Sequence, residues 1–317
     1  MAKLKTKIQN ALDENRMLIL GVQVLIGFNF RAVFERGFEV LPRLAQLMTL
    51  GALTLLILTL ALLLTPGAHH RIAEHGEDSP EFHRFTSGFA CAALVPLSIG
   101  FSLDLGIAGW KAVGPIGGGM LGATAGLVAL TMWFGIELIG RQTREGKPMQ
   151  GKDDQKQEGV EKTKISDKIR HVLTEARVVL PGAQALLGFQ FAVMLVDGFD
   201  KLPAGLRFLH LACLCSIAMA TVILMTPAAW HRIVERGEET ERFHRFASAM
   251  IVTALPFIAL GICGDFYIVT WRVTQSVRLA AAMTATLLVV FFGLWFGLSL
   301  VRRPRVAVRH AMVARSA

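Results

Sequence analysis

The sequence predicts an all-α fold, a polytopic integral membrane protein with eight transmembrane helices in two parallel four-helix repeats. Three observations lead there. The 317-residue chain is 53% hydrophobic, with a mean hydropathy of +0.50. Its apolar residues gather into runs of about 18 to 25, long enough to cross a hydrocarbon core of ~30 Å. The chain also matches itself when shifted by 161 residues: between Glu14 and Ser87, 29 of 74 positions are identical in the second copy without a gap. Self-similarity at a fixed offset marks a repeated structural unit.

The first repeat takes residues 1–140, with spans near 17–35, 46–65, 84–106 and 116–140. Residues 141–175 are polar and charged without apolar periodicity, and read as a cytoplasmic linker that becomes helical again from Ile165. The second repeat takes residues 176–303, with spans near 178–196, 206–226, 245–267 and 279–301, and a basic tail follows over 304–317. Four spans per copy is an even number, so the second copy enters the membrane in the same direction as the first. A pseudo-twofold axis along the membrane normal then relates them.

The net charge of +9 is read as topology. Of 33 Lys and Arg, 25 fall in the N-terminus, the two loops around 66–84 and 227–245, the linker region and the tail. The positive-inside rule puts those segments, and both termini, on the cytoplasmic side. Basic residues here lack interleaved aromatics or a nucleic-acid motif, so nucleic acid is not the expected partner. Anionic lipid headgroups are, with a homo-oligomer left open. Cys91, Cys213, Cys215 and Cys263 all lie in apolar runs and read as small buried hydrophobes. The first span has a basic flank but no small-residue cleavage site, and is expected to stay as a helix.

The segment the two copies keep best is the loop after the second span. Residues 65–87 match at 14 of 23 positions, against 3 of 19 over 46–64, as expected if the second span merely faces lipid. Thr65-Pro66 suggests an N-cap and first turn, or a kink where the span leaves the membrane. Gly76 suits a C-cap, and Ser79-Pro80 or Thr240 begins the next helix. The resulting cytoplasmic hairpin carries His70, Arg71, Glu74, Glu77, His83 and Arg84, repeated as His231, Arg232, Glu235, Glu238, His244 and Arg245. Three readings compete: a salt-bridged stem with Arg71 and Glu74 at i, i+3; an anion or headgroup site on the arginines; a metal ion on His70, Glu74 and His83. No other cofactor is expected. The spans lack paired histidines for a haem, His210 standing alone. A pH response through His70, His83, His231 and His244 is a further expectation.

Within the first span Gln23, Gly27 and Phe30 form one stripe, repeated as Gln184, Gly188 and Phe191. An amide in hydrocarbon needs a partner and glycine admits one, so the stripe reads as an interhelical contact in which the two glutamines pair, or as the lining of a path between the repeats. Gly118, Gly122 and Gly126, with Ala281 and Ala285 in the second copy, read as helix-contact faces. Asp104 with Trp110-Lys111 and Asp265 with Trp271-Arg272, like Gly37-Phe38-Glu39 and Gly198-Phe199-Asp200, read as outer turns and interfacial anchors. Glu137 reads as an interface salt bridge to Arg141.

Pro181-Gly182-Ala183-Gln184 followed by Thr226-Pro227 and His231-Arg232 resembles a family of small uncharacterised bacterial membrane proteins classed as a domain of unknown function. Its members have one four-span unit, so the resemblance implies a fused tandem pair over about residues 14 to 303 and an inner-membrane location, but no activity. The first copy departs in having Leu20 where the second has Pro181. Walker loops, nucleophile elbows and zincin motifs are absent from the sequence. The leading expectation is a non-enzymatic membrane protein acting through helix packing and its hairpins, with a small-solute or ion transporter or channel as the alternative.

Overall fold

The computed structural model describes residues 2–74, 79–135, 165–233, 235 and 240–303. Among them every regular element is a helix. In the first repeat these are α1 (Ala2–Ala32), a single turn α2 (Arg36–Glu39), α3 (Arg43–Ile72) and α4 (Pro80–Leu130) with a π-helical turn at Thr131–Gly135. The second repeat has α5 (Ile165–Val193), the turn α6 (Asp197–Asp200), α7 (Ala204–Ile233), α8 (Glu241–Thr274) and α9 (Val277–Phe292) with a π-helical turn at Gly293–Gly297. Helix returns at Ile165, as expected, while Glu137 and most of the linker lie outside the described residues.

Six helices are long and apolar enough to cross a membrane, and Met17–Ala32 is a shorter apolar one. One of the six, Pro80–Phe134, has 55 residues, about 80 Å if straight and far more than a bilayer needs. It is not straight. Gly114 sits at φ 85°, ψ 175°, a conformation open to glycine, and the chain doubles back there. Ser102 Oγ donates to the Gly122 carbonyl at 2.5 Å, and Gly106 and Gly109 lie against Gly118 and Gly122. Three of the predicted contact glycines, Gly118, Gly122 and Gly126, therefore do pack a helical hairpin. Ala281 and Ala285 do not: both are exposed, and α9 buries Ala280, Leu287 and Phe291 instead. The second repeat reverses at Gln275, 161 residues after Gly114 and also left-handed at φ 56°.

The turn between the first two helices of each copy is built alike. Phe38 N–H donates to Glu35 O and Leu41 N–H to Phe38 O, repeated by Phe199 to Val196 and Leu202 to Phe199. Pro42 and Pro203 then precede the next helix, where a missing N–H costs nothing.

Helix α3 corrects one expectation. Its poor match to the second copy does not come from facing lipid, because 61% of its most apolar window is buried, against 39% for the equivalent α7. Leu53, Leu56, Ile57, Leu60 and Leu63 are all sealed. The reason is the partner: α8 and the end of α9 from the second repeat lie on α3, and Trp295, fully buried in the π turn, donates its Nε1–H to the Ala61 carbonyl at 3.0 Å. In lipid such contacts act through close packing and satisfied polar groups.

Candidate functional sites at the hairpin ends and the buried carboxylates

Thr65 and Pro66 do not start a new helix. Helix α3 runs unbroken through them to Ile72, and the Thr65 hydroxyl donates to the Ala61 carbonyl one turn back. Ser79 and Thr240 do cap α4 and α8, accepting from the Phe82 and Phe243 N–H at 3.0 Å each. Gly76, Glu77 and Glu238, and the side chain of Arg232, lie outside the described residues.

Near these caps His69, His70 and His231 pack against aromatic rings. His70 stacks on Phe82 with ring centroids 4.2 Å apart, while His69 lies tilted against Phe85 at 4.4 Å and His231 tilted against Phe243 at 4.7 Å. An aromatic near the start of one helix thus covers an imidazole near the end of the last. Arg71 is buried and reaches the other repeat, 3.4 Å from His244 Nε2 and 3.4 Å from Ser248 Oγ. Glu235 accepts from the Trp230 indole at 3.4 Å and the Thr240 hydroxyl at 3.1 Å. Arg84 is exposed beside Glu81, Arg245 is exposed, and His83 is half-buried. Among the described residues no three His, Cys, Asp or Glu come together as metal ligands, so His70, Glu74 and His83 do not converge.

The amide stripe is used on one side only. Gln23 is 0% exposed, its amide fills the space a Cβ on Gly182 would take, and among the described residues neither its oxygen nor its nitrogen has a hydrogen-bond partner. The Phe189 ring fills the corresponding space at Gly27. Gln184 and Gly188 are exposed, so the glutamines do not pair, and the contact between α1 and α5 is not reciprocal.

Two residues read as surface anchors turn out to be the polar centres of the bundle. Asp104 lies ten residues before the Gly114 reversal, which on a helix is about 15 Å from the turn. It accepts from Asn29 Nδ2 at 2.9 Å. Its equivalent Asp265 accepts from Gln190 Nε2 at 2.6 Å and faces His210 Nδ1 at 2.8 Å. His210, which looked isolated in the sequence, therefore has a carboxylate. The signal was present: both Asp residues and an amide at 29 and 190 survive the 161-residue shift, and helical rise puts them below the surface. An ionisable group at that depth is a functional candidate by default.

The ends opposite the hairpins are tied across the repeats. Lys201 Nζ lies 2.9 Å from both Glu39 oxygens, and Arg272 Nη2 lies 2.9 Å from one of them. Arg272 also donates to the Val33 carbonyl at 2.9 Å and covers the Phe34 ring, while Arg36 pairs with Asp197. These donors, Lys201 first, hold the Glu39 carboxyl below the usual carboxylate range.

A family model described as "Family of unknown function (DUF6328)" matches residues 2–137 and matches again over residues 159–299. No curated protein and no solved structure matches the chain.

Proposed function

This chain belongs to the family of unknown function DUF6328 and carries its unit twice; from that premise we propose that it is a non-enzymatic inner-membrane protein whose cytoplasmic end engages anionic lipid headgroups. In this reading it crosses the membrane eight times. The reversal at Gly114 divides Pro80–Phe134 into two crossings, and Met17–Ala32, extended by the rest of α1, supplies another. Two parallel four-span units then leave both termini on the cytoplasmic side.

One observation carries the lipid assignment. Exposed arginines gather where α4 and α8 begin and where the continuous span Val277–Arg303 ends: Arg84, Arg242, Arg245, Arg302 and Arg303. Arg302 lies over the Phe85 ring at 4.8 Å and Arg242 over Trp230 at 5.8 Å. Guanidinium groups backed by aromatics at a membrane surface suit phosphate esters, which they bind in a planar fork. The buried histidines beneath them brace the stem. A transport path between the repeats has no such support, since Gln23 is sealed against Gly182 and Gln184 points away.

The test is thermal stability in lipid nanodiscs. Basic side chains near an anionic surface contribute about 1 kcal/mol each, so replacing phosphatidylcholine by a phosphatidylglycerol mixture should raise the unfolding temperature. Replacing the five arginines by glutamine, or adding 1 M salt, should remove the gain. Equal stability of the wild type in both lipids would sink the proposal.

A further inference from the structure

The 161-residue shift puts two carboxylates in one frame, and the frame is filled in one repeat and open in the other. Asp265 is 4% exposed and both its oxygens are used, one by Gln190 and one by His210. The second imidazole nitrogen, Nε2, lies 3.1 Å from the Gln190 carbonyl oxygen. A carbonyl only accepts, so Nε2 carries hydrogen. The contact of Nδ1 with Asp265 is then either imidazolium against carboxylate or imidazole against carboxylic acid, and the pair is neutral overall in both forms. His210 thus serves as a built-in basic ligand for Asp265.

Six positions surround it: Gln190, Val193, His210, Asp265, Ile268 and Val269. They border a void of only about 10 Å³, because Phe30 and Phe34 of the first repeat close it. The same six positions in the first repeat, Asn29, Ala32, Thr49, Asp104, Ile107 and Ala108, border a cavity of about 530 Å³. Two differences open it. Thr49 stands where the other repeat has His210, and its hydroxyl turns back to the Ala45 carbonyl at 3.1 Å. The residues that would close it by symmetry, Phe191 and Leu195, are 53% and 88% exposed, whereas Phe30 and Phe34 are each 4% exposed. Asp104 accordingly has one oxygen on Asn29 and, among the described residues, no hydrogen bond to the other.

We infer that the first-repeat cavity binds a small organic cation, a protonated amine or imidazole-type base on an apolar body, with its N–H directed at the second oxygen of Asp104. The volume lies within the range of small-molecule sites, about 300–1,000 Å³. Phe28 and Phe38 line it, and aromatic rings attract cations. Of the other charged groups bordering it, Glu35 is held by Arg31 at 3.1 Å and Lys111 is exposed. The carboxylate at depth is therefore Asp104.

Benzylammonium is the probe, with neutral benzyl alcohol as its uncharged counterpart, titrated onto the full chain in phosphatidylcholine nanodiscs. Saturable benzylammonium binding is expected for the wild type. Asp104→Asn, which removes the charge, and Thr49→His, which supplies the other repeat's own ligand, should each weaken it at least tenfold, and benzyl alcohol should not respond to Asp104→Asn. Thr49→His leaves the carboxylate in place and keeps the test readable if Asp104→Asn does not fold. A lipid ammonium headgroup offers the same chemistry, so discs containing phosphatidylethanolamine separate the sources: competition by that lipid identifies a headgroup as occupant, and unchanged affinity identifies a free cation. Absence of saturable binding to the wild type, or equal binding by all three proteins, overturns the inference.

Discussion

Replacing Gly118 by alanine tests whether the reversal at Gly114 is held by glycine contact. An ideal Cβ on Gly118 would lie 2.6 Å from the Gly106 carbonyl oxygen and 2.7 Å from Trp110 Cα, with the Trp110 nitrogen nearer still. All three are backbone atoms, so no side chain can swing aside. Ordinary contact begins near 3.4 Å, so the two limbs must part by about 1 Å. A gap of that size forfeits a quarter to a half of each dispersion contact across the seam. It also stretches the hydrogen bond from Ser102 to Gly122 toward the limit of its range. Overpacking of this kind costs about 1–3 kcal/mol and a weakened hydrogen bond about 0.5–1.5 kcal/mol, so the total should be about 1.5–4.5 kcal/mol. The control is Gly119→Ala, one residue on, where a Cβ meets nothing within 4 Å. Unfolding equilibria in mixed micelles should show the control unchanged or slightly stabilised. If Gly118→Ala falls within about 0.5 kcal/mol of Gly119→Ala, the hairpin is not held as described.

Three further outcomes are expected. Glu39 has its folded-state pKa held below its ordinary 4.5 by Lys201 and Arg272, so its ionised form stabilises above pH 4.5 and that contribution fades as the pH falls through the folded-state value. Glu39→Gln should therefore lower stability at neutral pH and flatten the acid limb of a pH series; an identical acid limb would refute the link between repeats. Trp295→Phe keeps most of the buried ring but leaves the Ala61 carbonyl without its donor, and should cost about 1 kcal/mol in the same unfolding assay. Gln23→Leu replaces an amide with no partner among the described residues by an apolar group of similar size and should be neutral or stabilising; a clear loss of stability would show that the amide is bonded after all.

Much of the fold was legible in the sequence because it rests on local properties. Run length marks helices that can span a membrane, Ser79 and Thr240 announce helix starts, and the shift of 161 residues reveals the doubling. The hairpin ends were also located, but not the inward packing of their side chains. His69, His70 and Arg71 suggest an exposed polar stem, and only the positions of Phe82, Phe85 and His244 show that they are covered. Thr65-Pro66 reads as a cap because the pair is common at helix starts, yet a threonine hydroxyl can equally bond one turn back inside a helix.

By itself the sequence determined helices long and apolar enough to cross a membrane, the helical class and the doubling, because apolar length and self-similarity belong to the chain whatever it packs against. Tertiary structure decided which copy of each retained residue does what. Gln23 is sealed and Gln184 exposed; Phe30 and Phe34 plug a site while Phe191 and Leu195 plug nothing; Asp265 is closed by His210 while Asp104 faces a cavity. The physical reason is that burial depends on the neighbour. Two repeats whose contacts are not reciprocal give equivalent residues unlike surroundings, and no reading of one repeat against the other can show which is the one enclosed.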